Sequence, residues 1–364
     1  MYDFAAAGVK LIAHYLPYQL PAMLAPELNL PVLCFCLAAT IFSALLSGLL
    51  PALRASHLEV ITGLNEGAKG AASKGAHRTR SLLVGAEIAL SVTLLIGASL
   101  LLHSFAKLIS VDPGFNPKGA VTARLYLPES RYKTPAQIAS FWNQLLPRLS
   151  AVPGVQFAGL LTDFPFDGLG SVGLIQVEGQ HLASPNDGTQ IFEFGVSPQT
   201  FQTLQTPLLT GRVITDKDTA GSPRVAVVSK HFADLLFPHE NPIGKRYERA
   251  GVSGWIAVVG VVGNITYGSL SETPEVAAYY SYQQMGPRSS GIVLRGAPSL
   301  QDLRHIVRNL DPNIPLTDMK PLGDYLSQSL ASRKFLLALL TAFSALAILL
   351  AAIARDFVVQ DWIL

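Results

Sequence analysis

The 364-residue chain is predicted to be an α+β membrane protein: three transmembrane helices carrying one external α+β domain, made of two β-α-β halves with an inserted strand-rich subdomain. Three observations predict it. Val32–Leu53, Ser81–Ala106 and Phe335–Ala354 are apolar and nearly free of charge, more than two hundred mixed residues separate the last two, and within that block strand and amphipathic-helix patterns alternate. At about 1.5 Å per residue, the 22 residues of Val32–Leu53 make a helix about 33 Å long, against a hydrocarbon core of ~30 Å. The competing reading is a set of buried helices in a large soluble protein, but Phe335–Ala354 shows no polar face, and a soluble helix keeps one toward water.

Composition agrees with a membrane chain. Charged residues make up 14%, mean hydropathy is +0.35, and a net charge of +2 gives no reason to expect a nucleic-acid partner. The two cysteines, Cys34 and Cys36, lie two residues apart in the first apolar stretch, where a helix points them in different directions. They form no disulfide framework and have no histidines at metal-ligand spacing, so no cofactor or metal is expected.

Residues 1–30 are read as the stump of a preceding span followed by an external loop, because Pro17, Pro21, Pro26 and Pro31 forbid a long helix. Residues 31–53 are then the first span. The short linker 54–80 carries Arg54, Lys69, Lys74, Arg78 and Arg80 against Glu59 and Glu66, which keeps it cytoplasmic. Gly63, Gly67, Gly70 and Gly75 predict flexibility in its second half. The second span, 81–106, runs outward, the block 107–334 is external, and 335–354 returns to a cytoplasmic tail, 355–364.

Glu87 is the one carboxylate inside a predicted span, hence a candidate intramembrane polar site. Twelve Leu, Ile and Val between Leu82 and Leu102 contribute about −0.3 to −0.6 kcal/mol each, which outweighs the ~3 kcal/mol cost of one central charge. Glu87 also sits about two turns from the cytoplasmic end. Both a headgroup-reaching structural role and an ion or proton site are open.

The external block opens with a strand, Gly119–Leu127, stopped by Pro128. Thr134 and Pro135 are N-cap and first residue of a helix whose stripe is Ile138, Phe141, Leu145 and Leu149, ending near Pro147. Val155–Leu161 completes a β-α-β unit. A matching unit comes from Gly291–Arg295, the helix Pro298–Leu310 and Ile314–Met319. The inserted subdomain, about 168–287, has strands at Leu174–Val177, Gln190–Val196, Val225–Val228 and Trp255–Val262. Its two short helices are Lys230–Phe237 and one opened by Ser197 as cap and Pro198, running to Leu204.

This block shows no catalytic constellation. His181, His231, His239 and His305 are scattered without metal-site spacing. Gly260-Val-Val-Gly263 lacks the third glycine and following helix of a dinucleotide site, and Gly244-Lys245 lacks the rest of a P-loop. Asp163, Asp167, Asp216 and Asp218 are read as solvated turn formers. The chain is not expected to be an enzyme.

Three segments, Leu208–Asp218, Arg224–Arg246 and Trp255–Asn264, resemble the periplasmic core domain of MacB-type ABC transporter permeases. Ser327–Phe335 running into an apolar span is similar to the point where that domain re-enters the membrane as an FtsX-like permease helix. Gly48–Ser56, Leu64–Gly67 and Arg80–Val84 are similar to the middle of duplicated, two-half permeases. The resemblance implies a chain truncated at both ends, multi-pass in a bacterial inner membrane with a large periplasmic domain. It implies as partners a separate cytoplasmic ABC ATPase, other permease helices or a second permease half, a periplasmic partner protein and membrane lipid. The implied role is export or mechanotransmission, with a non-transporting interaction or signalling module as the alternative and an external enzyme as a third.

Overall fold

A computed structural model describes residues 31, 34–35, 37–38, 40–42, 45, 69–168, 170–180 and 187–363. The predicted stump 1–30 and linker residues 54–68 lie outside the described residues, as does most of the first span, Val32–Leu53. The chain divides into two compact units, Met1–Phe105 with Ala331–Leu364, and Ala106–Leu330.

The first unit contains two long helices. Helix α1 is Lys69–Ile109 and helix α8, the last, is Ala331–Ile363. The flexible linker expected up to Arg80 is therefore corrected: it is helical from Lys69. Once a helix is nucleated each added residue gains a hydrogen bond, so Ala71, Ala72 and Ala76 extend it, and Gly70 and Gly75 cost about 1 kcal/mol each without breaking it. Among the described residues one helix, Ile88–Ile109, is long and apolar enough to cross a membrane, and only 11% of its most apolar window is buried. A second passes if Leu322–Ser329 and Ala331–Leu346, bent by 49°, are taken as one span. The expected count of three becomes one or two on these residues. Small side chains mark the seam between the helices: Ser91, Ala98 and Ser344 are buried, and Ser344 Oγ donates to the Leu94 carbonyl at 3.4 Å.

The second unit is α+β. Its elements are β1 (Ala120–Tyr126), α2 (Pro135–Ser150), β2 (Val155–Leu161), β3 (Ser171–Val177), β4 (Thr189–Val196), α3 (Thr200–Leu204), β5 (Leu208–Gly211), β6 (Val225–Ser229) and α4 (Lys230–Leu236). They continue as β7 (Arg246–Arg249), β8 (Val252–Val262), β9 (Ala277–Ser281), α5 (Tyr282–Met285), β10 (Ser289–Gly296), α6 (Leu300–Leu310), β11 (Thr317–Pro321) and α7 (Leu322–Ser329).

The two β-α-β halves share one sheet in the order β11-β1-β10-β2, every neighbour antiparallel. This is the split β-α-β arrangement, in which each half lends one strand to the middle. Helices α2 and α6 cover one face, where Trp142, Leu145 and Leu149 pack with Leu125, Ile292, Leu294 and Leu303. Helix α2 begins in a capping box: Thr134 Oγ1 accepts from the Gln137 amide, and Gln137 Oε1 accepts from the Thr134 amide at 3.1 Å.

The insertion pairs as a ring. β4 pairs β3, β3 pairs β7, β7 pairs β8, β8 pairs β6, β6 pairs β9, and β9 returns to β4. Each of these six strands sends a side chain inward: Ile175, Ile191, Tyr247, Ile256, Val228 and Tyr280 belong to one core. The ring joins the four-stranded part through one pair, Leu161 opposite Val196. Alternation along β4 puts Phe194 and Val196 into a separate core shared with the four-stranded part. Ser197 is not the cap of α3, which starts at Thr200 with Gln199 before it. Its hydroxyl is drawn off to accept from the Leu160 amide at 2.9 Å, tying the insertion to β2.

Candidate functional site

Topology brings the two ends of the external unit together. Strands β1 and β11 are antiparallel with Val121 opposite Pro321, so the chain enters β1 at the place where it leaves β11. Between the roots runs a groove of about 370 Å³ lined by Lys118, Gly119, Val121, Gly296, Pro321 and Gly323.

The incoming root, residues 112–118, is an irregular strap held by its backbone. Asp112-Pro-Gly114 turns the chain, with the Gly114 amide donating to Asp112 Oδ1 at 2.9 Å. Gly114 has φ +82°, and a side chain there would meet the Asn264 carbonyl oxygen at 1.6 Å. Its own carbonyl accepts from Thr206 Oγ1 at 2.8 Å, and the Pro113 carbonyl accepts from the Thr266 amide at 3.0 Å. Phe115 inserts into the shared core. The Asn116 amide donates to Leu204 O at 2.8 Å.

Arg295 completes the strap. It stands on β10, is only 5% exposed, and its guanidinium donates to three carbonyls: Thr203 at 2.6 Å, Lys118 at 2.7 Å and Asn116 at 2.7 Å. The rigid fork of donors suits three acceptors converging from two segments. Burial lowers its pKa, yet guanidinium stays charged under any ordinary condition.

The outgoing root, α7, is held by side chains. Leu322 and Tyr325 are buried in the same core as Phe115, and the Tyr325 ring lies 5.2 Å from that of Phe164. Tyr325 Oη donates to Asp318 Oδ2 at 2.8 Å. Lys320 Nζ sits 3.8 Å over the Tyr325 ring and 3.2 Å from Asp318 Oδ1. Burial alone would raise the Asp318 carboxyl, but the hydrogen bonds from Tyr325 and Lys320 and the charges of Lys320 and Arg124 hold it below its ordinary value. Burial and the bond to Asp318 push the Tyr325 hydroxyl up. Arg124 stacks 5.0 Å over Phe164 and pairs with Asp167.

The residues weighed from sequence do not gather here. Glu87 lies on α1, one residue before Ile88; its side chain is outside the described residues, as is His181. His231 lies in the first turn of α4, His239 sits in a loop with φ +63°, and His305 on α6 contacts Asn309. Among the described residues no three His, Cys, Asp or Glu side chains are placed to hold a metal ion. Asp218, read as a solvated turn residue, is corrected: it is buried and takes a bidentate pair from Arg212 at 2.7 and 2.9 Å, whereas Asp167 is exposed in a bend. Gly260 serves packing, since a side chain there would meet the Arg212 carbonyl at 2.0 Å. Sequence reading missed Arg295, although a lone cation within the buried run Gly291–Arg295 was the available signal.

The fold is a split β-α-β sheet carrying an inserted barrel, entered and left at adjacent strand ends and followed along the chain by an apolar helix. Residues 88–310 match the family described as MacB-like periplasmic core domain, and the chain belongs to that family. It is 26% identical over 142 residues to the macrolide export ATP-binding/permease protein MacB of Syntrophobacter fumaroxidans, a match spanning 36% of this chain and 20% of that protein. Among solved structures it is similar to the periplasmic region of MacB from Actinobacillus actinomycetemcomitans, with 17% identity, 62% of this chain and 97% of that one covered, and a TM-score of 0.40. The extracellular domain of the noncanonic ABC-type transporter YknZ from Gram-positive bacteria gives 15% identity, 54% and 100% coverage, and a TM-score of 0.36. The match to the Syntrophobacter fumaroxidans protein covers about a fifth of that relative's length.

Proposed function

We propose that this chain is a partial permease subunit of an export or mechanotransmission system, in which a separate cytoplasmic ATPase moves membrane helices and the external domain converts that movement into a change of shape. One observation carries the reading: the incoming strap and the outgoing helix enter the same buried core side by side, through Phe115 on one and Leu322 and Tyr325 on the other. A domain fixed at two adjacent roots responds to their relative displacement by hinge or shear.

In this reading Val32–Leu53, Ser81–Ala106 and Phe335–Ala354 cross the inner membrane, and Glu87 anchors its helix near the cytoplasmic headgroups. Force transmission is favoured over a through-membrane path because helix hydroxyls are spent on backbone: Thr93 on Ala89 O at 2.8 Å, Thr341 on Leu337 O at 2.7 Å. The test is co-reconstitution of the full chain with the ATPase and permease helices of its own operon, with spin labels at Asn116 and Ser329. A nucleotide-dependent change in their distance is expected. No change while ATP is hydrolysed overturns the reading in favour of a membrane-anchored interaction or signalling module.

A further inference from the structure

The barrel holds a carboxylate where its core should be apolar. Glu193 on β4 is completely buried, pointing with Ile191 into the ring. Gly173 on β3 makes room for it, since a side chain there would lie 2.7–2.8 Å from the Glu193 carboxyl atoms. Three groups surround that carboxyl. Tyr280 Oη on β9 donates to Oε1 at 3.2 Å, and Tyr247 Oη on β7 donates in turn to Tyr280 Oη at 3.0 Å. Arg249 Nη2, also on β7, lies 2.8 Å from Oε2, but out of hydrogen-bond alignment, so Oε2 accepts nothing. Arg249 itself is 30% exposed and shares its charge with water.

An ionised carboxylate in this position is poorly compensated. Desolvation costs several kcal/mol per buried ion, and the partner here is partly exposed with no aligned bond. A neutral carboxyl is cheaper in the closed ring, while water favours the ionised form. Burial accordingly pushes the Glu193 carboxyl up, against the opposing pull of Arg249 and Tyr280.

We propose that Glu193 makes the barrel a pH-responsive element: its ionisation favours opening of the strands around it, and its protonation locks the ring closed. The sign follows from linkage. A group whose pKa is higher in the closed than in the opened state binds more protons when closed. Closure is therefore fully supported below the opened-state value and weakens as pH rises through the closed-state value, by up to about tenfold in the opening constant per pH unit. The device sits in the barrel and its test needs no ATPase, so it stands or falls apart from the coupling proposal.

The experiment is hydrogen exchange of the full chain in detergent micelles, following β3 and β4 amides between about pH 5 and about pH 8, corrected for intrinsic exchange. The wild type is expected to show an opening constant that grows with pH. Glu193→Gln removes the growth. Arg249→Gln takes away the one opposing charge and enlarges it. Glu178→Gln, at a surface pair with Arg246, leaves it at the wild-type value. A wild-type opening constant independent of pH, or a Glu193→Gln chain that keeps the pH dependence, overturns the proposal. If Glu193→Gln does not fold, Arg249→Gln decides: an unchanged or smaller dependence overturns it equally.

Discussion

Replacing Arg295 tests the idea that one side chain fastens the incoming tether. Three hydrogen bonds from a charged donor, each about 1.5–3 kcal/mol, set an upper bound, but removing the cation also removes the cost of burying it. Arg295→Met keeps the aliphatic bulk and leaves the carbonyls of Thr203, Asn116 and Lys118 without this donor. Two of these carbonyls lie on the strap, which water can reach once it loosens, so the net loss is expected near 3–5 kcal/mol rather than the full sum. Arg295→Lys keeps the charge without the fork and is expected to lose about half as much. The assay is urea unfolding of the external domain in the full micellar chain, read by near-ultraviolet dichroism, together with amide exchange over 112–118. The strap should lose protection before the sheet does. A loss under about 1 kcal/mol for Arg295→Met, or equal losses for Met and Lys, would refute the reasoning.

Gly114→Ala combines a positive φ with a clash against the Asn264 carbonyl, so a loss above about 2 kcal/mol is expected in the same urea assay. Thr134→Ala removes the capping box of α2 and should cost about 1 kcal/mol without altering strap exchange. Tyr325→Phe removes the bond to Asp318 and should cost about 1 kcal/mol at neutral pH. Because the folded Asp318 carboxyl lies below its ordinary value, its contribution is present above the unfolded pKa and lost as pH falls through the folded one. The gap between Tyr325→Phe and wild type should therefore close in acid, as unfolding measured from neutral pH down to about pH 2.5 would show.

Periodicity and caps located the elements whose order is local. The first β-α-β half was readable because Thr134, Pro135 and the Ile138–Leu149 stripe all point to one helix, and the pattern at Gly291–Arg295 marked its counterpart. The ring closure of the insertion was not readable. β5 and β7 are four residues each, too short for alternation to show, and β9 is buried on both sides, so Ala277–Ser281 reads as an apolar run of either type. Helix α7 was missed because Leu322–Ser329 runs on, at the amino-acid level, into the apolar stretch that follows. The candidate site escaped for another reason. Arg295 and Gly114 act on backbone carbonyls far away in sequence, and acceptors of that kind leave no residue signature.

In the proposed coupling, a displacement at the roots on β1 and β11 would have to cross the shared core. The shared core contains Phe115, Leu322 and Tyr325 from the roots, Leu161 and Val293 from the middle of the sheet, and Phe194, Val227 and Tyr279 from the barrel. Close-packed interiors have low compressibility, so a push on a root reaches the barrel through side chains in contact rather than through loops. If the roots slide relative to each other, the β1–β11 ladder must shear. In that ladder the register already slips, between Thr122 and Arg124, and Asp318 beside it has φ +48°. A bulge there concentrates the deformation and spares the β1–β10 ladder, which pairs without interruption from Ala120 to Tyr126. The four-stranded part thus has one compliant edge, at the tethers, while the incoming strap also reaches the insertion directly through Thr206 and Thr266.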